Sequence, residues 1–189
     1  MALSVSSVAV AALQTPSGSE GPFYPGADMR YDDIDNDLVK ISGQLEQAGG
    51  EVVRLEGRVL DRQGKSVQYA RVEIWQCDVQ GRYLHPGDPR WSGRDRAFQG
   101  FGYDLTNADG GFSFRTIKPV PYPGRTPHIH LKILLAGRTR LTTQLYLPDH
   151  PGNDRDWLYQ RIAQDRRESV TMIFQKSAGE PVANVDLVI

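Results

Sequence analysis

Val53-Arg54-Leu55-Glu56-Gly57-Arg58-Val59 alternates apolar or small residues with charged ones, so one set can face a core and the other water. This period of two is the signature of a half-buried strand. Asp61-Arg62-Gln63-Gly64 then reads as a turn. Ala70, Val72 and Ile74 alternate with Arg71, Glu73 and Trp75, giving a second strand that faces the first. Gln80-Gly81 opens another turn, and Asn107-Ala108-Asp109-Gly110-Gly111 makes a tight one ahead of an alternating run over 112–117. Residues 128–135 and 141–146 read as strands, and 170–174 and 185–189 as closing strands. Only residues 156–168 have helical composition. Many short strands at turn-marked intervals predict a mainly β fold, an antiparallel β-sandwich core.

The chain has 189 residues, and at roughly 150 residues per domain it is read as one domain. Residues 1–20 are expected to be a mobile tail and 21–189 the single domain, with an irregular N-terminal arm over 26–50. Gly21-Pro22-Phe23-Tyr24-Pro25 stands out within that region: two prolines bracket two aromatics, which favours a stiff extended segment. Residues 84–105 carry Trp91, Phe98, Phe101 and Tyr103 in a long stretch with little regular pattern. So many aromatics predict a loop packed over something rather than a disordered one.

Lys and Arg number 22 against 23 Asp and Glu, a formal net charge of −1. That balance excludes a strongly basic nucleic-acid footprint and a polybasic membrane anchor, so neither nucleic acid nor membrane is expected as a partner. No apolar run approaches the roughly 18 residues needed to span a bilayer. The stretch 2–13 is read as a tail, with the remnant of an export signal as the other reading; the cytoplasm is the favoured compartment. Cys77 is the one cysteine, so neither an internal disulfide nor a Cys-rich zinc site can form. It is expected to be a small buried hydrophobe.

His128-Ile129-His130 follows Pro127. In a strand, residues i and i+2 share a face, so both imidazoles can converge on one point. They are read either as exposed strand decoration or as a metal pair. No Asp or Glu lies within the ten residues before His128, so no local two-His-one-carboxylate set is visible. Tyr122 and Tyr83 are each either an ordinary aromatic or an oxygen donor. A phenol binds a metal near neutral pH only when the ion is a strong Lewis acid, and a hard ferric ion suits anionic oxygen better than zinc or magnesium. His85 and His150 are expected at the surface or behind the site, and Trp75 in the core.

These stretches together resemble the intradiol ring-cleavage dioxygenases, the catechol and protocatechuate type. The matching segments are Leu55-Glu56-Gly57-Arg58-Val59, Ala70-Arg71-Val72-Glu73-Ile74-Trp75-Gln76, Gly81-Arg82-Tyr83 and Phe98-Gln99-Gly100. They continue with Thr106-Asn107-Ala108-Asp109-Gly110, Phe114-Arg115-Thr116-Ile117-Lys118-Pro119, Tyr122-Pro123, Arg125-Thr126-Pro127-His128-Ile129-His130 and Thr143-Gln144-Leu145-Tyr146. Gly21-Pro22-Phe23-Tyr24 resembles the family's N-terminal segment. The resemblance implies a non-haem Fe(3+) enzyme that cleaves a catechol-type ring between its two hydroxyl-bearing carbons with O2, giving a muconate-type diacid.

It further implies that Tyr83, Tyr122, His128 and His130 hold the iron, with Tyr122 the tyrosine that leaves on substrate binding. Arg125 would stabilise charge on the substrate, and Gln144 would stand near the oxygen pocket. Pro22, Tyr24, Trp91 and Phe101 lie in segments that resemble pocket walls. Only five residues separate Tyr122 from His128, where larger relatives carry an insertion; the pocket is expected to be more open on that side. One chain carries all four ligand positions, so a monomer or a homo-oligomer would suffice. The competing readings are a transthyretin-like β-sandwich that binds without catalysis, and a metal hydrolase using the two histidines with a remote carboxylate. Neither has need of Tyr83 and Tyr122.

Overall fold

The alternating stretches become strands because their apolar residues can be buried on one side while backbone pairing is kept. A computed structural model of the chain describes residues 12–189. In chain order the strands are β1 (Val52–Leu60), β2 (Arg71–Trp75), β3 (Phe101–Leu105), β4 (Gly111–Ile117), β5 (His128–Leu135), β6 (Arg138–Tyr146), β7 (Ile173–Gln175), β8 (Val182–Asn184) and β9 (Leu187–Val188). One sheet has the order β4-β1-β8-β7, with β9 also paired to β1; the other has the order β3-β2-β5-β6. Leu55, Val59, Phe112 and Phe114 of the first sheet share one buried cluster with Val72, Ile74, Ile129, Leu131 and Ile133 of the second. The expected β-sandwich is therefore present.

Its details differ from the sequence reading in four places. Pairing in the second sheet is antiparallel throughout, but β8 and β9 run parallel to β1. The β7–β8 hairpin fixes the direction of β8, and only tertiary docking decides which edge of β1 receives it. Secondly, Phe101–Leu105 is a strand paired with β2, so the loop that starts at residue 84 is shorter than expected. Thirdly, the helical stretch expected over 156–168 is a single α turn, α1 (Trp157–Gln160), followed by a 3-10 segment at Gln164–Val170. Residues 164–169 offer no apolar side chain to seat a helix face, and the next buried anchor is Val170.

The fourth difference concerns the tail. Residues 1–11 of the expected tail, and that part of the supposed export remnant, lie outside the described residues. Residues 12–20 follow the body of the fold. Thr15 N–H donates to the Val188 carbonyl (2.9 Å) and Gly18 N–H to the Thr142 carbonyl (2.7 Å). Thr15 is buried.

β8 and β9 run along β1 in one unbroken register, with the pairing interrupted at Val185 and Asp186. The interruption lies opposite Gly57, whose missing side chain admits the Val185 carbonyl; a Cβ there would overlap that oxygen and touch the Phe112 ring. Replacing Gly57 with Ala is expected to cost about 1–3 kcal/mol through overpacking. Urea unfolding should show a lower midpoint with an unchanged slope.

Candidate active site

β5 is buried on both faces, and this places the site. Ile129, Leu131 and Ile133 enter the sandwich core, while His128, His130 and Lys132 point to the opposite face. On that face Trp75 of β2 and Gln144 of β6 flank His130 in register, and Tyr146 lies across from His128. The Trp75 ring stacks on His130 with centroids 4.8 Å apart and planes 11° apart. Sequence reading assigned Trp75 to the core. It is fully buried, but in a second cluster with Cys77, Tyr83 and Phe101, beneath Phe23, Tyr24 and Tyr122.

Four of the candidate residues converge. His128 Nε2 and His130 Nε2 are 3.2 Å apart. The Tyr122 ring lies 5.4 Å from that of His128, and Tyr83 lies 6.0 Å from His130 and edge-on to Tyr122 at 5.4 Å. His128 Nδ1–H donates to the Thr126 carbonyl at 2.7 Å, which leaves its Nε2 as a lone pair. His130 Nδ1 faces the Ser19 carbonyl without reaching hydrogen-bond geometry, so no partner fixes its tautomer, and its Nε2 either carries the proton toward His128 Nε2 or offers a lone pair. The buried Tyr83 hydroxyl has no hydrogen-bond partner. Two imidazole Nε2 atoms that face each other beside an unpartnered buried phenol make a donor set that a cation would complete. Among the described residues no three His, Cys, Asp or Glu converge, so any such set depends on the phenols.

Burial sets the protonation states. It pushes His128 down to about 3 and His130 well below the ordinary imidazole value, with Arg125 acting in the same direction. It also raises both phenols, Tyr83 further than Tyr122, where the Arg125 guanidinium opposes the rise. The imidazoles are therefore neutral, and the phenols would have to lose their protons to hold a cation.

Arg125 enters from the loop before β5. Its Nη2 donates to Gln144 Oε1 (2.5 Å), its Nη1 reaches Tyr122 Oη (3.4 Å), and its Nε donates to Asp156 Oδ2 (2.8 Å). Gln144 Oε1 also accepts from Tyr146 Oη (2.9 Å), and Gln144 Nε2 donates to the Ser19 carbonyl (2.9 Å). Burial alone would raise the Asp156 carboxyl, but backbone N–H donors and Arg125 hold it below the usual range. Beside Arg125 a hollow of about 360 Å³ opens to solvent, lined by Pro121, Gly124, His150 and Arg155 among others.

The N-terminal segment covers the other side. Gly21 has φ +73°, and a Cβ there would meet the His130 ring at 3.2 Å, so backbone passes directly over the imidazole. Phe23 packs on Tyr83 (4.9 Å) and Tyr24 edge-on to Trp75 (4.9 Å). Tyr24 Oη donates to Glu73 Oε2 (2.7 Å), and Lys132, paired with Glu20, holds its ammonium 3.7 Å above the Tyr24 ring.

Of the four wall candidates, Tyr24 and Phe101 belong to this aromatic layer and Pro22 is exposed beside it. Trp91 stands apart, 38% exposed, with Arg94 near its ring, in a separate hollow with Asp28 and His85. Sequence reasoning missed Gly21, Phe23, Tyr146 and Asp156. Tyr146 had a signal, since it lies two residues after Gln144 and so shares its face. Asp156 stood only as the first residue of the stretch with helical composition.

The family model described as "Dioxygenase" matches residues 19–187. The protocatechuate 3,4-dioxygenase beta chain of Burkholderia cepacia is 34% identical over 167 residues, covering 84% of this chain and 70% of that protein. The hydroxyquinol 1,2-dioxygenase of Nocardioides simplex is 31% identical over 131 residues; the match covers 59% of this chain and only 42% of that longer protein. The solved dioxygenase domain of a dioxygenase–carbohydrate-binding protein fusion from Streptomyces sp. SirexAA-E superposes with a TM-score of 0.70 at 31% identity, covering 93% of this chain and 97% of that one. A family match over residues 19–187, with a protocatechuate 3,4-dioxygenase chain and a hydroxyquinol 1,2-dioxygenase among the relatives, places this chain in the intradiol ring-cleavage dioxygenase family.

Proposed function

We propose that the protein binds ferric iron through Tyr83, Tyr122, His128 and His130 and cleaves a catechol-type ring with O2 between its hydroxyl-bearing carbons. The observation that carries the reading is the facing pair of imidazole Nε2 atoms beside the unpartnered Tyr83 hydroxyl. Two phenolates and two imidazoles suit a hard trivalent ion, whose charge the phenolates partly balance. Iron, when bound, supplies the Lewis acidity and redox capacity that activate a catechol toward O2.

The remaining chemistry belongs to the chain. Tyr83 and both histidines are fully buried, whereas Tyr122 is only partly covered, so of the four residues that would hold the iron Tyr122 is the one a substrate can reach. Its phenolate oxygen, when not held by the iron, would accept a proton from a substrate hydroxyl. Arg125, next to that oxygen, is a fixed cation placed for negative charge that develops on the ring. Gln144 keeps its carbonyl oxygen on Arg125 and holds the guanidinium toward the site. Phe23, Tyr24 and Trp75 exclude water from the histidine side.

Iron-loaded protein should be coloured by a tyrosinate-to-iron charge-transfer band that shifts on anaerobic addition of catechol. Tyr83→Phe and Tyr122→Phe should each weaken iron binding and move or abolish the band, and a phenol-independent band or full activity in both variants would sink the assignment. Chelation of the iron should lower the thermal midpoint, because ligand that binds only the folded state stabilises it by mass action. An unchanged midpoint would argue against these ligands. Arg125→Lys keeps the charge but not the fork, and should lower kcat by about 10²–10³ with the band intact, as measured by oxygen uptake.

A further inference from the structure

Asp156 takes no part in the chemistry proposed above, yet its buried carboxylate is fully bonded. The side chain is 0% exposed. Oδ2 accepts from Arg125 Nε (2.8 Å) and from the Thr126 backbone N–H (2.8 Å). Oδ1 accepts from the backbone N–H groups of Leu158 (3.0 Å) and Tyr159 (3.1 Å) and so caps α1. One oxygen is thereby anchored to the helix and the other to the arginine and the start of β5.

This anchoring sets where Arg125 can point. A guanidinium is a rigid planar fork, so fixing Nε fixes the direction of both Nη groups. With Nε on Asp156, Nη1 and Nη2 project toward Tyr122 Oη and Gln144 Oε1. The amide of Gln144 has one orientation compatible with its partners, because Oε1 takes two donors and Nε2 needs the Ser19 carbonyl. The circuit closes through Tyr146, whose ring meets Tyr159 of α1 edge-on at 4.9 Å and 72°. Capping alone does not require this residue, since Ser or Asn caps a helix as well as Asp does. What only a carboxylate supplies is a buried negative charge against Arg125.

We infer that Asp156 is a positioning residue: it holds the Arg125 guanidinium between Tyr122 and Gln144 by tying its Nε to the start of α1. The inference rests on the reading of Arg125 as the cation of the ring-cleaving site. It also gives the one-turn helix of a β protein a task, which is to supply the N–H donors that keep the carboxylate in place.

Asp156→Asn and Asp156→Ser both retain a capping side chain and remove the charge. In the iron-loaded protein each should lower kcat by about tenfold or more with KM little changed and the visible band unaltered. In an Arg125→Ala background, Asp156→Asn should change kcat by less than about twofold, because residues acting through one another are not additive. The metal-free protein gives a reading that needs no turnover. The Arg125 Nε–H resonance in a nitrogen-15 spectrum should exchange slowly with solvent, and on the order of tenfold faster in Asp156→Asn, while the backbone amides of β5 and β6 stay in place. Wild-type kcat in both Asp156 variants, additive losses in the double variant, or an unchanged Nε–H exchange rate would each overturn the inference. Unimpaired turnover in Arg125→Ala would instead overturn the role given to Arg125, and the exchange measurement would still report whether Asp156 holds it.

Discussion

Everything at this site depends on a strand that is buried on both faces. β5 sends Ile129, Leu131 and Ile133 into the sandwich and His128, His130 and Lys132 the other way. The period of two that secures the core therefore aims the imidazoles, and a slip of one residue would put the histidines among the core leucines and the isoleucines on the face that carries the site. Hydrophobic packing on one side thus fixes the register of the chemistry on the other. The neighbours are fixed by the same ladder: Trp75 and Gln144 flank His130 because β2 and β6 pair with β5 at those positions.

An outer sheet face that carries neutral histidines must be shielded from water, and in this chain loops and the N-terminal segment do the shielding. Gly21 passes over His130 where no side chain would fit. Phe23, Tyr24 and Tyr122 close over Trp75 and Tyr83. Cations held against this layer, Lys132 over Tyr24 and Arg30 over Phe101 at 3.9 Å, bind the segment to the sheet without adding unpaired charge to its apolar part. Burial then keeps the imidazoles neutral and the phenols protonated, so the four side chains form an uncharged donor set.

The polar side of the site is built differently. Arg125 is neither loose nor solvated: carboxylate, amide and phenol each claim one part of its fork. Such a network is costly to leave half-satisfied, so each partner constrains the next. The sequence distance from Arg125 to Asp156 is 31 residues, and to Gln144 it is 19. Contacts over such separations follow no local period, which is why Gln144 was legible only through resemblance to a family and Asp156 only as the start of a stretch with helical composition.

By itself the sequence determined the class of fold, the strands with clean alternation and the shared face of His128 and His130, because these follow from a local period and from the chirality of the chain. It also marked Tyr83, Tyr122, Arg125 and Gln144 through motif order, and the fold brings all four to the histidines. Tertiary structure alone decided the parallel docking of β8 and β9 on β1, the passage of Gly21 over His130, the stacking of Trp75 on that ring and the bond from Asp156 to Arg125. It also separated Trp91 from Tyr24 and Phe101, which sequence had grouped as one wall. The physical reason is common to these cases. Each is a choice among sites that are equally acceptable to the local backbone, and it is settled only when distant segments compete for the same buried space and the same hydrogen bonds.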